Sequence, residues 1–244
     1  MEIFHVHTFR CGHAEEVPDE EYIKLAAELG ADGIWFTDHA PFPYDPFGAR
    51  MKYSQLEEYL TTLASLKKKY TDISVHIGLE TEYFPNFDRA GYYDKLRSMT
   101  DIEMLLLGQH MAETSSAPPA YSFSESKEYL AENEYRLLGN AIVSGIRSGY
   151  FNAVAHPDRI FRRCTKWTED MESVSLQIID SAIEADIPIE MNLSSVEDPE
   201  HYKTQFWKLV PDNAKRIIGF DAHCLKDMKS RYCEMKERLS KFSA

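Results

Sequence analysis

Apolar, β-branched stretches alternate with longer amphipathic stretches from one end of the chain to the other, which predicts βα units around a parallel sheet. The pattern repeats seven times. The predicted strands are Glu2–His7, Gly33–Thr37, Ile73–Glu80, Met104–Gln109, Ala153–His156, Ile187–Asn192 and Arg216–Asp221. Between them, Pro18–Leu29 reads as a helix, opening on proline, carrying acids in its first turn and stopping before Gly30. Tyr53–Tyr70 places Leu56, Leu60, Leu63 and Leu66 at helical spacing and ends in Lys67–Lys69, where positive charge opposes the helix dipole. The Pro-, Gly- and Ser-rich stretches APFPYDPFGAR and MAETSSAPPAYSFSES follow the second and fourth strands and cannot continue them. They are expected to be loops over or beside an active site.

A chain of 244 residues suits one α/β barrel of about 250 residues, so a single domain over residues 1–244 is expected, with no linker between halves. With 43% hydrophobic and 27% charged residues it can cover a core with a solvated surface. A net charge of −13 argues against binding long nucleic acid, although bound metal ions would invert the field that a small anionic substrate meets. No apolar run approaches the roughly 20 residues of a membrane span, and the chain starts directly with MEIFHVHT, so a cytoplasmic enzyme with no membrane partner is expected. Cys11, Cys164, Cys224 and Cys233 show no Cys-x-x-Cys spacing and read as reduced thiols. Nothing in the sequence specifies an oligomeric state.

Seven of the nine histidines fall at or just beyond predicted strand ends: His5, His7, His13, His39, His110, His156 and His223. Alternation along a strand would turn His5 and His7 to one face, about 6–7 Å apart at the backbone and suited to one ion. Glu80 ends ISVHIGLE, and Asp221 and His223 form Asp-Ala-His after IIGF. In a parallel barrel these ends converge on one rim, where such enzymes hold their chemistry. Nine candidate ligands exceed the four of one tetrahedral zinc and suit two or three divalent ions; mixed imidazole and carboxylate donors fit Zn, Mn or Fe. Four other residues read as bystanders: His76 as a satisfied core histidine, His201 as a surface helix residue, and Cys11 and Cys224 as thiols that merely neighbour the ligands.

The ordered motifs HVHT, FTDHAPFP, GLETEY, GQH, AHPD and FDAH resemble those of the PHP superfamily, named for polymerase and histidinol phosphatase domains, and cover the chain from His5 to His223. TDHAPFP and RMKYSQLEEYLTTLASLKKKY are most similar to histidinol-phosphate phosphatases. The resemblance implies a distorted (β/α)7 TIM-like barrel. It also implies one metal on His5, His7, Glu80 and Asp221, a second sharing Glu80 and adding His110 and His156, and a third on His13, His39 and His223. The implied activity is hydrolysis of histidinol phosphate to histidinol and phosphate by a hydroxide bridging the metals.

Around that centre, Asp158, two residues after His156, is a candidate proton donor or ligand-orienting group. Arg159 is the candidate phosphate clamp, because a planar guanidinium matches two phosphate oxygens. Asn192, sharing a strand face with Glu190, is a candidate contact for a polar end of the substrate. LSSVEDPE after Asn192 and Phe220 before Asp221 depart from the pattern expected of histidinol-phosphate phosphatases, which bears on the substrate pocket. Two other activities compete: a phosphodiesterase, exonuclease or nucleotide phosphatase acting on short substrates, and a non-catalytic metal-binding module.

Overall fold

The computed structural model describes residues 1–242, with side chains through Glu237. Its strands are β1 (Ile3–Val6), β2 (Gly33–His39), β3 (Ser74–Thr81), β4 (Met104–Leu107), β5 (Glu113–Ser116), β6 (Pro119–Tyr121), β7 (Ala153–Val154), β8 (Ile189–Asn192) and β9 (Arg216–Gly219). Seven of them form a sheet in the order β1-β2-β3-β4-β7-β8-β9, and β5 pairs only with β6. The seven predicted strands are all present, and the order follows the chain, as a (β/α)7 fold requires. No helix among the described residues is long and apolar enough to cross a membrane. All four cysteines are free.

Two compact units are distinguished, the first made of residues 1–80, 101–104 and 219 onward, the second of 81–100 and 105–218. In the first, β2 and β3 pair in parallel and in register from Gly33 opposite Ser74 to His39 opposite Glu80, so one register aligns two candidate ligands at the C-terminal strand ends. Ile34, Phe36, Val75, Ile77 and Leu79 are buried with Tyr22, Ile23 and Ala26 of the Asp19–Leu29 helix and Tyr59, Leu60 and Leu63 of the Leu56–Lys69 helix. Gly30 ends the first helix at φ 76°, its N–H reaching back to the Ala26 and Ala27 carbonyls, a left-handed turn that glycine adopts without strain.

The first strand is not regular. Ile3 lies opposite Ile34 and Val6 opposite Phe36, three steps against two, with His5 at φ 70°. This β-bulge, rather than simple alternation, delivers His5 and His7 to one place. Segment 220–222 runs beside β1: Phe220 N–H donates to Phe4 O, Ala222 N–H to His5 O and His7 N–H to Ala222 O. Arg231 of the Leu225–Phe242 helix donates Nη1 to the carbonyls of Phe220 and Asp221 at 2.8 and 3.0 Å, clamping the peptide that carries Asp221.

In the second unit Leu106 and Leu107 of β4 lie opposite Ala153 and Val154 of β7, and Val154 lies opposite Ile189 of β8. The Lys127–Ser148 helix comes close to β4 at Gly145, where a β-carbon would stand 2.9 Å from Leu107 Cδ2. Three expectations are corrected here and in the first unit. The stretch after β4, expected to be all loop, contains the antiparallel pair β5–β6, with Glu113 opposite Tyr121 and Ser116 opposite Pro119. Its mostly polar composition gave no alternation to read, and Pro119 is tolerated because it lies at the start of an edge strand. His76 is not a core residue: its side chain is 23% exposed, stacked on Trp35 at 4.1 Å and bonded to Glu103. It lies near the N-terminal end of β3, far along the strand from Glu80. His201 sits in a turn rather than a helix, half-buried and 3.2 Å from Asp198.

Candidate metal centre

In the first unit the ends of β1, β2 and β3 and the turn after β9 converge. His5 and His7 are fully buried and Glu80 and Asp221 almost so. His5 Nε2 lies 3.3 Å from Glu80 Oε2 and 3.9 Å from Asp221 Oδ1; His7 Nε2 lies 3.5 and 3.3 Å from the same two oxygens. His39 Nδ1 stands 3.0 Å from Glu80 Oε2. Donor atoms of His5, His7 and Glu80 form one close group, and those of His13, His39 and His223 another, each within 4.8 Å. Donors bonded to one ion at 2.0–2.2 Å stand roughly 3–3.5 Å apart, so the spacing around Glu80 suits ions with little movement.

Hydrogen bonding supports the same fit. Both ring nitrogens of His7 and Nε2 of His223 are buried and make no hydrogen bond. Buried polar atoms ordinarily find a partner, and an unbonded imidazole nitrogen facing carboxylates is poised to ligate. Burial alone would lower the His7 pKa, but Asp221 and Asp38 beside it outweigh that and raise it to about 9. His223 goes the other way, down to about 2, because burial and the neighbouring His7, His39 and His13 all disfavour its charge.

Supporting groups surround these side chains. Asp38 Oδ1 lies 3.6 Å from His7 Nδ1 and accepts the His39 N–H at 2.9 Å, while Thr8 Oγ1 donates to Asp38 Oδ2. His13 Nδ1 is 3.1 Å from the Cys11 carbonyl and His223 Nδ1 is 3.2 Å from that of Asp221, contacts that leave Nε2 of each ring for an ion. Three candidate ligands have left-handed backbones: His5 at φ 70°, Asp221 at φ 48° and, in the second unit, His156 at φ 28°. Each costs on the order of 1–3 kcal/mol, a strain that clusters at functional sites.

In the second unit His110 follows β4 and His156 follows β7, with ring centroids 5.1 Å apart. His110 Nδ1 lies 3.3 Å from Glu82 Oε1. Glu82 was missed as a site residue, although GLETEY places it only two residues beyond Glu80 in the sequence. Glu190, completely buried, accepts the His156 backbone N–H at 2.9 Å and Asn192 Nδ2 at 3.0 Å. Asn192 Oδ1 in turn accepts Arg159 Nη2 at 3.2 Å, and Ser195 Oγ accepts Arg159 Nη2 and Nε at 2.9 and 3.2 Å. Arg159 and Asn192 are thus brought together. Arg162 and Arg163 instead grip the buried carboxylate of Glu134.

Asp158 is buried, and Oδ2 accepts the Lys203 N–H and Trp207 Nε1–H, each at 2.9 Å. Burial raises its pKa to about 6 against those two bonds. Oδ2 is thereby tethered, while Oδ1 is buried and makes no hydrogen bond.

The sequence of residues 4–194 matches the PHP domain model. The chain is 34% identical over 165 residues to the "Probable histidinol-phosphatase" of Deinococcus radiodurans, covering 63% of this chain and 59% of that protein. It is 24% identical to the histidinol-phosphatase of Bacillus subtilis across 96% of this chain and 97% of the relative. Among solved structures, one from Listeria monocytogenes provisionally assigned as a histidinol phosphatase superposes with a TM-score of 0.77 at 19% identity, covering 96% of this chain and 99% of the other. The Lactococcus lactis histidinol phosphate phosphatase, solved with zinc, L-histidinol and phosphate, gives a TM-score of 0.67 at 16% identity over 97% and 92% of the two chains. At those identities the structural matches establish a shared fold, and the match over most of the sequence establishes the family: this chain belongs to the PHP domain family.

Proposed function

We propose that the protein is a metal-dependent phosphomonoesterase that hydrolyses histidinol phosphate to histidinol and phosphate. The observation that carries this reading is the convergence of His5, His7 and Glu80, with Asp221 beside them, at spacings that match ligands of one ion. The named relatives supply the substrate class. Two to three divalent ions, of zinc, manganese or iron, would be held by His5, His7, Glu80 and Asp221, by His13, His39 and His223, and with the help of His110 and His156. When bound, such ions neutralise phosphoryl oxygens and lower the pKa of water enough for attack at neutral pH.

The chain's own residues do the rest. Arg159, its plane held through Nε and Nη2 by Asn192 and Ser195, would turn the two N–H groups of Nη1 to phosphate oxygens. Glu190 fixes Asn192 and the backbone at His156, and Glu82 orients the His110 ring. Asp158 holds the 203–207 segment against the turn that carries Arg159. The expected single domain over 1–244 is part of this reading, as is a small phosphorylated substrate.

The test is phosphate release by metal-loaded protein from L-histidinol phosphate, from simple monoesters and from a short oligonucleotide, with and without chelator. Chelator-sensitive release fastest from histidinol phosphate is expected. Faster cleavage of the oligonucleotide would favour a phosphodiesterase, and no turnover with two to three ions bound would make the chain a metal-binding module.

A further inference from the structure

Cys11 takes no part in the ligand sets above, yet its position is unlike that of a thiol packed only for volume. The turn Phe9–Cys11 is closed by Gly12 at φ 79° and buries the Cys11 side chain completely. There its Sγ and one ring nitrogen each of His7 and His223 lie within 4.8 Å of one another. The His7 and His223 rings are stacked with centroids 4.1 Å apart, and the fully buried His7 makes no hydrogen bond through either nitrogen.

A sulfur and two imidazole nitrogens form a donor set that favours soft ions, since thiolate selects thiophilic metals where carboxylate and imidazole alone do not. Tetrahedral bonds of about 2.3 Å to sulfur and 2.0 Å to nitrogen would bring the donors to roughly 3.5 Å, a contraction within reach of side-chain rotation. We infer that Cys11, His7 and His223 form a further position for a thiophilic divalent ion of the cadmium or zinc class. Binding breaks the S–H bond, forms a sulfur–metal bond and releases the proton to solvent. The position shares His7 and His223 with the two ligand groups above, so an ion there competes with the resident ones. This inference rests on the proposed metal centre and adds a sulfur donor to it.

The experiment is titration of the purified, metal-loaded protein with cadmium, following near-ultraviolet sulfur-to-cadmium charge-transfer absorption together with metal content. Cys11→Ser, Cys11→Ala and Cys224→Ser are measured in parallel, and circular dichroism identifies any variant that fails to fold. Saturable absorption is expected in the parent and in Cys224→Ser and should be lost in both Cys11 variants. The Cys11 variants should bind cadmium about tenfold or more weaker, while their resident metal content stays at the parent level. Cadmium uptake without sulfur absorption in the parent, or absorption that survives in a folded Cys11 variant, overturns the inference. If a Cys11 variant loses the absorption but keeps its resident ions, the sulfur position stands. If the parent neither holds nor takes up any metal, the proposed centre itself fails.

Discussion

If Arg159 is the phosphate clamp, its contribution can be worked from its surroundings. The guanidinium is held at 2.9–3.2 Å by Ser195 Oγ and Asn192 Oδ1, neutral acceptors that fix its plane without cancelling its charge. A charge-assisted hydrogen bond contributes about 1.5–3 kcal/mol, so Nη1 making two such bonds through its two N–H groups supplies about 3–6 kcal/mol. At about 1.4 kcal/mol per tenfold, Arg159→Ala should lower kcat/KM by roughly 10²–10⁴. Lysine restores a point charge and one bond, so Arg159→Lys should fall roughly 10–100-fold below the parent. Asn192→Ala leaves the arginine but removes one neutral restraint of about 0.5–1.5 kcal/mol, a loss of roughly 2–13-fold. The assay is initial phosphate release from histidinol phosphate at fixed metal loading, with urea midpoints to confirm that each variant is folded. The order Asn192→Ala, Arg159→Lys, Arg159→Ala should hold for increasing damage. If Arg159→Ala kept activity within about threefold of the parent, less than one hydrogen bond's worth, the clamp assignment would be wrong.

Three further outcomes follow. His7→Ala should abolish both chelator-sensitive turnover and part of the bound metal, measured by elemental analysis, because His7 Nε2 faces both Glu80 and Asp221; unchanged metal content would refute its role as a ligand. Glu82→Gln should weaken metal binding by about 10–100-fold in a competition titration, the usual effect of losing the partner that orients a ligating imidazole; equal affinity would mean that Glu82 does not fix the His110 ring. Gly139→Ala adds a methyl that overlaps Val174 Cγ1 of the facing helix. Overpacking of about 1–3 kcal/mol should exceed the roughly 1 kcal/mol gained in helix propensity, and Val174→Ala in the same chain should relieve it, a non-additivity readable in urea unfolding.

The sequence makes the fold legible because parallel strands buried on both faces leave nearly continuous apolar runs, and all seven fall where those runs predict. Composition carries less information at β5–β6, where Glu113–Ser116 is polar throughout and pairs through backbone groups. His76 shows the limit of strand parity. It shares a face with Glu80, but four residues along a strand span about 13 Å, and the two side chains meet different environments.

The site divides along the same line. That His5, His7, Glu80 and Asp221 gather is readable, since the position of a residue at a strand end is a property of the chain's order. How they gather is not, because it depends on His5 at φ 70°, Asp221 at φ 48° and the Arg231 clamp on the Asp221 carbonyl. No local propensity favours a left-handed histidine or aspartate enough to announce it. Such backbones persist where surrounding bonds over-determine them: His7 N–H on Ala222 O, Ala222 N–H on His5 O, and Arg231 on Phe220 and Asp221. The same holds for Glu190, whose Oε2 accepts both the His156 N–H and Asn192 Nδ2. Residues that ligate can be found by type and spacing, whereas residues that hold them in place use the same few side-chain types as any buried polar contact. Those become visible only when their partners do.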